Sequence, residues 1–375
     1  MQRISIDALI PGMVTARDIF SAEGRILLGR GVLLTQRYIQ RLRELGIYSV
    51  YIQSSLAADV VIPEVIREET RIKAIKQVKE AFEKFRGGFH HDFSKLNAVA
   101  RNIVDEILQH GEHMVHLTDI RQYDEYTFGH SVNVCILSVL TGVKLDYPYG
   151  RLRELALGAL LHDIGKLGIP NEILNKQGTL TAAEMELLQK HPDMGFDMLR
   201  RNPDLQILSA HVAYQHHERM DGSGYPRRLA GDDIHEFARI AAIADVYDAL
   251  TADRAYRKAL PPHKAYEILM ATAEKHFDPD ILHVFLSNIA LYPVGSIVKL
   301  NTGETGVVLK VTPVCQERPL IYIVTDADGY FVPKGKEVDL AQYPELFISK
   351  IFKMEEVLDL LQKLHTFDSK KHFNG

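Results

Sequence analysis

Between residues 130 and 250 the sequence sets histidines and aspartates into runs that are otherwise apolar. Leu160-Leu161-His162-Asp163-Ile164-Gly165-Lys166 closes an apolar stretch with a His-Asp pair, a glycine and a lysine. His130 precedes Asp163 by 33 residues, and His191 follows it by 28, directly before Pro192. His216-His217-Glu218 and the glycine-rich Asp221-Gly222-Ser223-Gly224-Tyr225-Pro226 come next, then Asp245 within Ile243-Ala244-Asp245-Val246. With 17 histidines in 375 residues, chance gives about one adjacent pair. The chain has two, His90-His91 and His216-His217. The first follows Gly87-Gly88-Phe89 and reads as a solvated turn. The second keeps company with the other histidines and aspartates.

Imidazole and carboxylate together suit Zn, Fe, Ni and Mn sites. An aspartate flanked by small apolar residues is costly to bury unpaired, and a metal ion would offset that cost. Adjacent residues on a helix diverge by about 100°, so His162 and Asp163 do not share a face. Both reach a metal only near a helix end, or if Asp163, with two oxygens, bridges to a second ion. Gly165 permits a turn that brings Lys166 back toward the same pocket.

The elements that must position these groups are mostly helices. Residues 115 to 290 carry long apolar-periodic segments and few strand signals. Thr181-Ala182-Ala183-Glu184 matches a capping box, and Pro261-Pro262 opens a further helix. Residues 1 to 60 read as a small α+β unit. Thr35 caps a helix with Ile39, Leu42 and Leu45 on its apolar face, Gly46 stops it, and Ile47 to Ile52 alternates as a strand. Pro63 to Arg86 is charged and helical in period, with Ile72, Ile75, Val78 and Phe82 in one stripe. That stripe suits intramolecular docking or a two-helix seam in a homodimer. A helix follows from Ser94 to Gln109. Beyond Tyr292, the runs Val294 to Val298, Gly306 to Val311 and Leu320 to Thr325 predict a small all-β appendage, then a helix from Lys353 to Leu364.

Composition bounds the function. Hydrophobic residues make up 46% and charged residues 25%, an ordinary globular balance. With 44 Lys+Arg against 49 Asp+Glu the net charge is −5, so there is no general basic footprint for DNA. The longest uncharged apolar-rich run, Ser131 to Val143, is too short for a membrane span. No apolar signal segment follows Met1. Two distant cysteines, Cys135 and Cys315, suggest neither a disulfide framework nor a cysteine zinc site, and fit a reducing cytoplasm.

Taken in order, these residues resemble the HD-GYP family, a branch of the HD-domain metal-dependent phosphohydrolases. The marks are Tyr126-Thr127 and His130-Ser131, His162-Asp163-Ile164-Gly165-Lys166, His191-Pro192, His216-His217-Glu218, Asp221 to Pro226, and Asp245 to Arg257. The resemblance covers residues 115 to 290. It implies a mostly α fold, a helical HD-type bundle with the two small flanking domains. The domains expected are 1–60 (α+β, regulatory), 61–114 (helical connector), 115–291 (catalytic), 292–350 (β) and 351–375 (terminal helix and tail).

The resemblance also implies an activity: hydrolysis of cyclic di-GMP to pGpG or GMP in bacterial signalling. Two divalent ions are expected, iron first and manganese or another transition metal as the alternative. One is held by His130, His162, Asp163 and Asp245; the other by Asp163 as bridge with His191, His216 and His217. Asp163 and Lys166 are the expected catalytic residues. Lys166, Tyr225, Asp248, Arg254 and Arg257 are the expected substrate contacts, with the cations serving the phosphates. Some family members carry a third metal on a Glu four residues before the first histidine. Here that position is Tyr126, and the neighbouring Glu125 points elsewhere, which favours two ions. The alternatives are a hydrolase for another cyclic dinucleotide or nucleotide, and a signalling module without turnover.

Overall fold

The structure is a computed structural model. It describes the chain apart from residues 22–24, 48, 54–63, 87–92, 111–125, 203–204, 253–258, 333–334 and 374–375. Glu125, Arg254, Arg257 and the pair His90-His91 lie outside the described residues, and only the backbone of Tyr126 is described. In chain order the elements are β1 (Gln2–Ser5), β2 (Ile19–Phe20), β3 (Ile26–Leu28), α1 (Gln36–Glu44), β4 (Ser49–Ile52), α2 (Glu68–Arg86) and α3 (Ser94–His110). Next come α4 (Tyr126–Lys144), α5 (Tyr149–Leu161), α6 (Asn171–Leu174), α7 (Ala182–Leu188), α8 (His191–Leu199), α9 (Ile207–Gln215), α10 (Glu236–Thr251), α11 (Pro262–His276) and α12 (Pro279–Ser287). The chain closes with β5 (Ile297–Leu300), β6 (Thr305–Lys310), β7 (Leu320–Thr325), β8 (Glu337–Asp339), β9 (Ile348–Ile351) and α13 (Met354–Phe373). These elements pack as two units, one from residues 1–64 with 290–375 and one from residues 65–110 with 126–289.

The helical unit is built around α4. Its uncharged run is buried on every side, with Val132, Val134 and Val139 at 0% exposure. A helix apolar all round belongs inside a bundle. α5 and α10 pack most extensively on it, with α2, α3 and α12 around them. α10 supports close packing with buried small residues, Ala238, Ala241 and Ala244. Among the described residues no helix is long and apolar enough to cross a membrane. The stripe on α2 docks within its own chain: Ile72, Val78 and Phe82 are buried, α2 packs on α3 and α4, and Phe82 meets Phe128 edge-on at 5.6 Å. The homodimer seam expected from that stripe therefore loses its motive. The capping box at α7 forms as expected, with Thr181 and Glu184 exchanging bonds.

In the other unit β1 pairs antiparallel with β4 and β2 with β3. Thr35 accepts a hydrogen bond from Tyr38 N to start α1, and Gly46 leaves it at φ +72°, a region that suits glycine. The alternation expected from Ile47 to Ile52 is not realised, because all four residues of β4 are buried. The C-terminal segment forms one antiparallel sheet in the order β8-β7-β6-β5-β9; β8 and β9 gave no sequence signal. α13 runs to Phe373, past the expected Leu364. The α+β and all-β flanks share a core rather than standing apart. Ala16 and Tyr51 lie in one cluster with Val298, Leu300, Val308 and Ile321, and Leu358 and Leu361 of α13 pack on the N-terminal core.

Candidate metal centre

Helix ends bring the expected ligands together. α5 stops at His162, which is still helical, and Asp163 leaves the helix at φ −99° to begin a short 3-10 turn. α9 ends at His216, with His217 next. His191 opens α8, with Pro192 second, where a missing N–H costs no helical bond. His130 and Asp245 stand within α4 and α10. Two sets of ligand atoms result: Asp163 with His191, His216 and His217, and His130 with His162 and Asp245, each set lying within 4.8 Å.

Asp163 joins them by dividing its two oxygens. Oδ2 lies 3.4 Å from His162 Nε2 and 3.8 Å from His130 Nε2. Oδ1 lies 3.4 Å from His191 Nε2 and 3.7 Å from His216 Nε2. His130 Nε2 also lies 3.1 Å from Asp245 Oδ1. The seven residues named from the resemblance as ligands thus lie in two groups with Asp163 between them.

The ring nitrogens facing away from the centre are anchored. His162 Nδ1 donates to Ala159 O at 2.8 Å, His191 Nδ1 to Leu188 O at 2.8 Å, and His216 Nδ1 to Ala213 O at 3.0 Å. These bonds fix the tautomer that leaves Nε2 with a free lone pair, as metal-ligating histidines require. His162 Nε2 and Asp163 Oδ1 are buried with no hydrogen-bond partner. Orphaned buried polar atoms are rare and costly, and a divalent cation fits them and the whole N/O donor set.

Electrostatics agree with this reading. Burial lowers the pKa of His191 to about 3 and takes His217 well below the ordinary value, so both are neutral ligands at neutral pH. Burial opposes the charged form of Asp163, yet Lys166 and the neighbouring imidazoles outweigh it and hold the carboxyl well below the usual range. Lys166 Nζ donates to Asp163 Oδ2 at 2.6 Å and remains partly exposed. His130 differs: burial works against its proton, but Asp245 and Asp248 raise its pKa to about 10, so this imidazole, unlike His191 and His217, must give up a proton to ligate an ion.

Asp248 corrects an expectation. Expected among the substrate contacts, it is 1% exposed. It accepts from His130 Nδ1 at 2.7 Å and from Asn133 Nδ2 at 3.0 Å. It orients His130 from behind, because one turn of α10 separates it from Asp245 and the intervening ring fills the space. Gly165 is also explained differently. A Cβ there would sit 1.8 Å from His191 O and 2.6 Å from Gly195 N, so the glycine admits the α8 backbone rather than a special φ.

The loop after α9 is pinned by Glu218, a residue whose role the sequence did not disclose. It is buried and accepts from Arg227 N at 2.8 Å and Leu229 N at 3.0 Å. Its carboxylate thereby closes the loop that presents Tyr225, whose ring stacks on His217 at 4.7 Å and 27°. Gly224 is packed tightly, since a Cβ would meet His217 O and Glu218 Cα at 2.5 Å. Outside the loop Arg227 lies over the Tyr214 ring at 4.3 Å.

Comparison with known proteins places the chain among HD-domain relatives. Residues 98–281 match the HD domain family, and residues 297–367 match the KOW domain associated with HD domains. A curated cyclic di-GMP phosphodiesterase of Pseudomonas aeruginosa is 36% identical over 309 residues, covering 75% of this chain and 74% of that protein. The chain belongs to the HD-GYP family. In this HD-GYP chain the name-giving residues are His162-Asp163 and Gly224-Tyr225-Pro226. A 3'3'-cGAMP-specific phosphodiesterase of Vibrio cholerae is 45% identical over 129 residues, 34% of this chain and 25% of that protein. A solved HDG"Y"P protein from Bdellovibrio bacteriovorus shares the fold, with TM-score 0.52 and 18% identity over 76% of this chain and 97% of that one.

Proposed function

We propose that this chain is a bacterial signalling phosphodiesterase that hydrolyses cyclic di-GMP to pGpG or GMP at a dinuclear divalent metal centre. The observation that carries the reading is the division of Asp163, one oxygen toward His130 and His162 and the other toward His191 and His216. One ion is assigned to His130, His162, Asp163 and Asp245, the second to Asp163, His191, His216 and His217. Iron is the metal we assign, since a site of imidazole and carboxylate without thiolate suits it. Two such ions would supply Lewis acidity toward a phosphodiester and would lower the pKa of a water.

The chain's own residues do the rest. Asp163 holds the two groups in register. Lys166 keeps Asp163 ionised and presents a positive charge at the rim, where a phosphate would arrive. Tyr225, held on His217, forms an aromatic wall for a base. Arg254 and Arg257, outside the described residues, are assigned to the phosphates. The cytoplasm is the compartment we assign, consistent with free Cys135 and Cys315.

Anaerobically purified protein should contain two metals per chain and cleave cyclic di-GMP. Replacing His162 and Asp163 together by Ala should remove both activities of the site, metal retention and hydrolysis. Stoichiometric metal in that double variant would refute the ligand assignment. A second reading, a hydrolase for 3'3'-cGAMP, is favoured by the identity to the Vibrio cholerae enzyme. Side-by-side kcat/KM for the two cyclic dinucleotides decides between them.

A further inference from the structure

The end of α9, which delivers His216 and His217, is tied to the start of α10, which carries Asp245, through His211, Gln215 and His235. Gln215 is 4% exposed. Its Oε1 accepts from His235 N at 2.7 Å, and its Nε2 approaches His211 Nδ1 at 3.4 Å. His235 is also the N-cap of α10, where its Nδ1 accepts from Phe237 N at 3.1 Å. The residues between Gln215 and His235 include the loop that presents Tyr225, so the tie closes the base of that loop as well as joining two ligand-bearing helices.

Main-chain donors decide which atoms of the tie accept. A main-chain N–H only donates, so His235 N claims the carbonyl end of Gln215 and leaves the amide NH2 facing His211. His211 Nδ1 must then keep its lone pair. Phe237 N imposes the same on His235 Nδ1. The usual N-caps, Ser, Thr, Asp and Asn, keep their acceptor in mild acid. A histidine cap loses its acceptor when it takes a proton, and an imidazolium there opposes the positive end of the helix dipole. Arg151 of α5 and Glu236 and Arg239 of α10 face His235, Arg227 of the loop faces His211, and the two imidazoles face each other. α8 contributes the uncharged Phe196 ring, 5.2 Å from His211. Glu236, the acid among these groups, is already paired with Arg151 at 2.8 Å. Burial first, and then the cations, lower both histidines from their ordinary value. Both are half-buried, so protons reach them. Opening the tie takes up protons, and the closed form loses stability as pH falls below the ordinary histidine value of about 6.5.

We propose that His211, Gln215 and His235 form an acid-sensitive latch that locks the end of α9 to the start of α10 and loosens when either imidazole takes a proton. Hydrogen exchange of the full-length, metal-loaded chain, corrected for the intrinsic effect of pH, reads the latch at residues 212–215 and 236–240. Protection of these amides in the wild type should fall by about tenfold over the first pH unit below about 6.5. His211→Asn and His235→Asn each keep an acceptor, Oδ1, where Nδ1 stands, and neither side chain titrates. Each variant should match the wild type near neutral pH and lose part of the acid response; the double variant should lose nearly all of it. The metal ligands are unchanged in the double variant, so their own release of ions in acid is common to both proteins and the difference belongs to the latch. An acid response as large in the double variant as in the wild type, or none in the wild type, would overturn the proposal. So would loss of protection near neutral pH in the asparagine variants, since the imidazoles would then act by packing and not as acceptors. The effect on the metals rests on the ligand assignment above, whereas the exchange measurement does not. Transfer of metal to a chelator in mild acid should be slower from the double variant than from the wild type, and equal rates would overturn the coupling of the latch to the metal centre.

Discussion

His130 turns its outer nitrogen to a carboxylate, whereas His162, His191 and His216 turn theirs to main-chain carbonyls. A carboxylate partner raises ligand basicity as well as fixing the ring. Asp248→Asn should therefore weaken metal binding by about 10- to 100-fold, selectively at the group containing His130, with the fold preserved by the similar shape. Metal titration of the variant checks this. A role in substrate binding would instead leave the metals in place and raise KM alone. The clustering of histidines and aspartates on apolar segments was legible in the sequence, whereas their division between two ions came from the family resemblance. Asp248 was misread because its partner lies 118 residues away, and nothing local separates a carboxylate facing substrate from one facing a ligand. Glu218 is similar: its acceptors' partners, Arg227 N and Leu229 N, are main-chain groups without a sequence mark.

At the scale of elements, the start of α8 depends on a contact that admits no side chain at residue 165. Gly165→Ala would drive a Cβ into His191 O, so α8 must shift and carry His191 with it. The expected cost is about 1 to 3 kcal/mol or more, the scale of overpacking, together with loss of metal from the group containing His191. Urea unfolding and metal content of the variant test both parts. Between these ligands, α6 and α7 contain no buried residue, so their order rests on local bonds. Lys176 and Thr181 bond Glu184 and lower its pKa to about 2. A lowered carboxyl pKa means that this contribution is present above the usual carboxylate range and is lost as pH falls through about 2. The difference in melting temperature between wild type and Glu184→Gln should be small and positive near neutral pH and vanish toward pH 2. A difference that persists there would assign the effect to something other than ionised Glu184. The capping box itself was legible, because its Thr and Glu act within one turn. Strands β8 and β9 were not, since short edge strands carry too few residues to establish a period.

For the whole molecule, the sequence marked two flanking segments with different characters, and it could not tell that they meet. Their contact lies in side chains far apart in the chain: Ala16 and Tyr51 on one side, Val298, Leu300 and Val308 on the other. Hydrophobic burial is nonspecific in sequence and becomes assignable only when the chain closes. Tyr51 is 7% exposed, and Arg17 lies 4.5 Å over its ring, so the residue is packed on both its apolar and its cationic side. Tyr51→Ala should cost about 3 kcal/mol, the lower end for losing a buried aromatic. The loss should appear in the C-terminal sheet as well as in the N-terminal segment. A chain lacking residues 1–64 goes further, since it uncovers the shared core and removes the surface on which Leu358 and Leu361 pack. Limited proteolysis should then cut within residues 290–375 far sooner than in the intact chain, while the helical unit keeps its metals. A sheet as resistant in the shortened chain as in the full one would mean that the C-terminal segment is stable without the shared core. Faster cutting confined to that segment is the outcome that a common core requires.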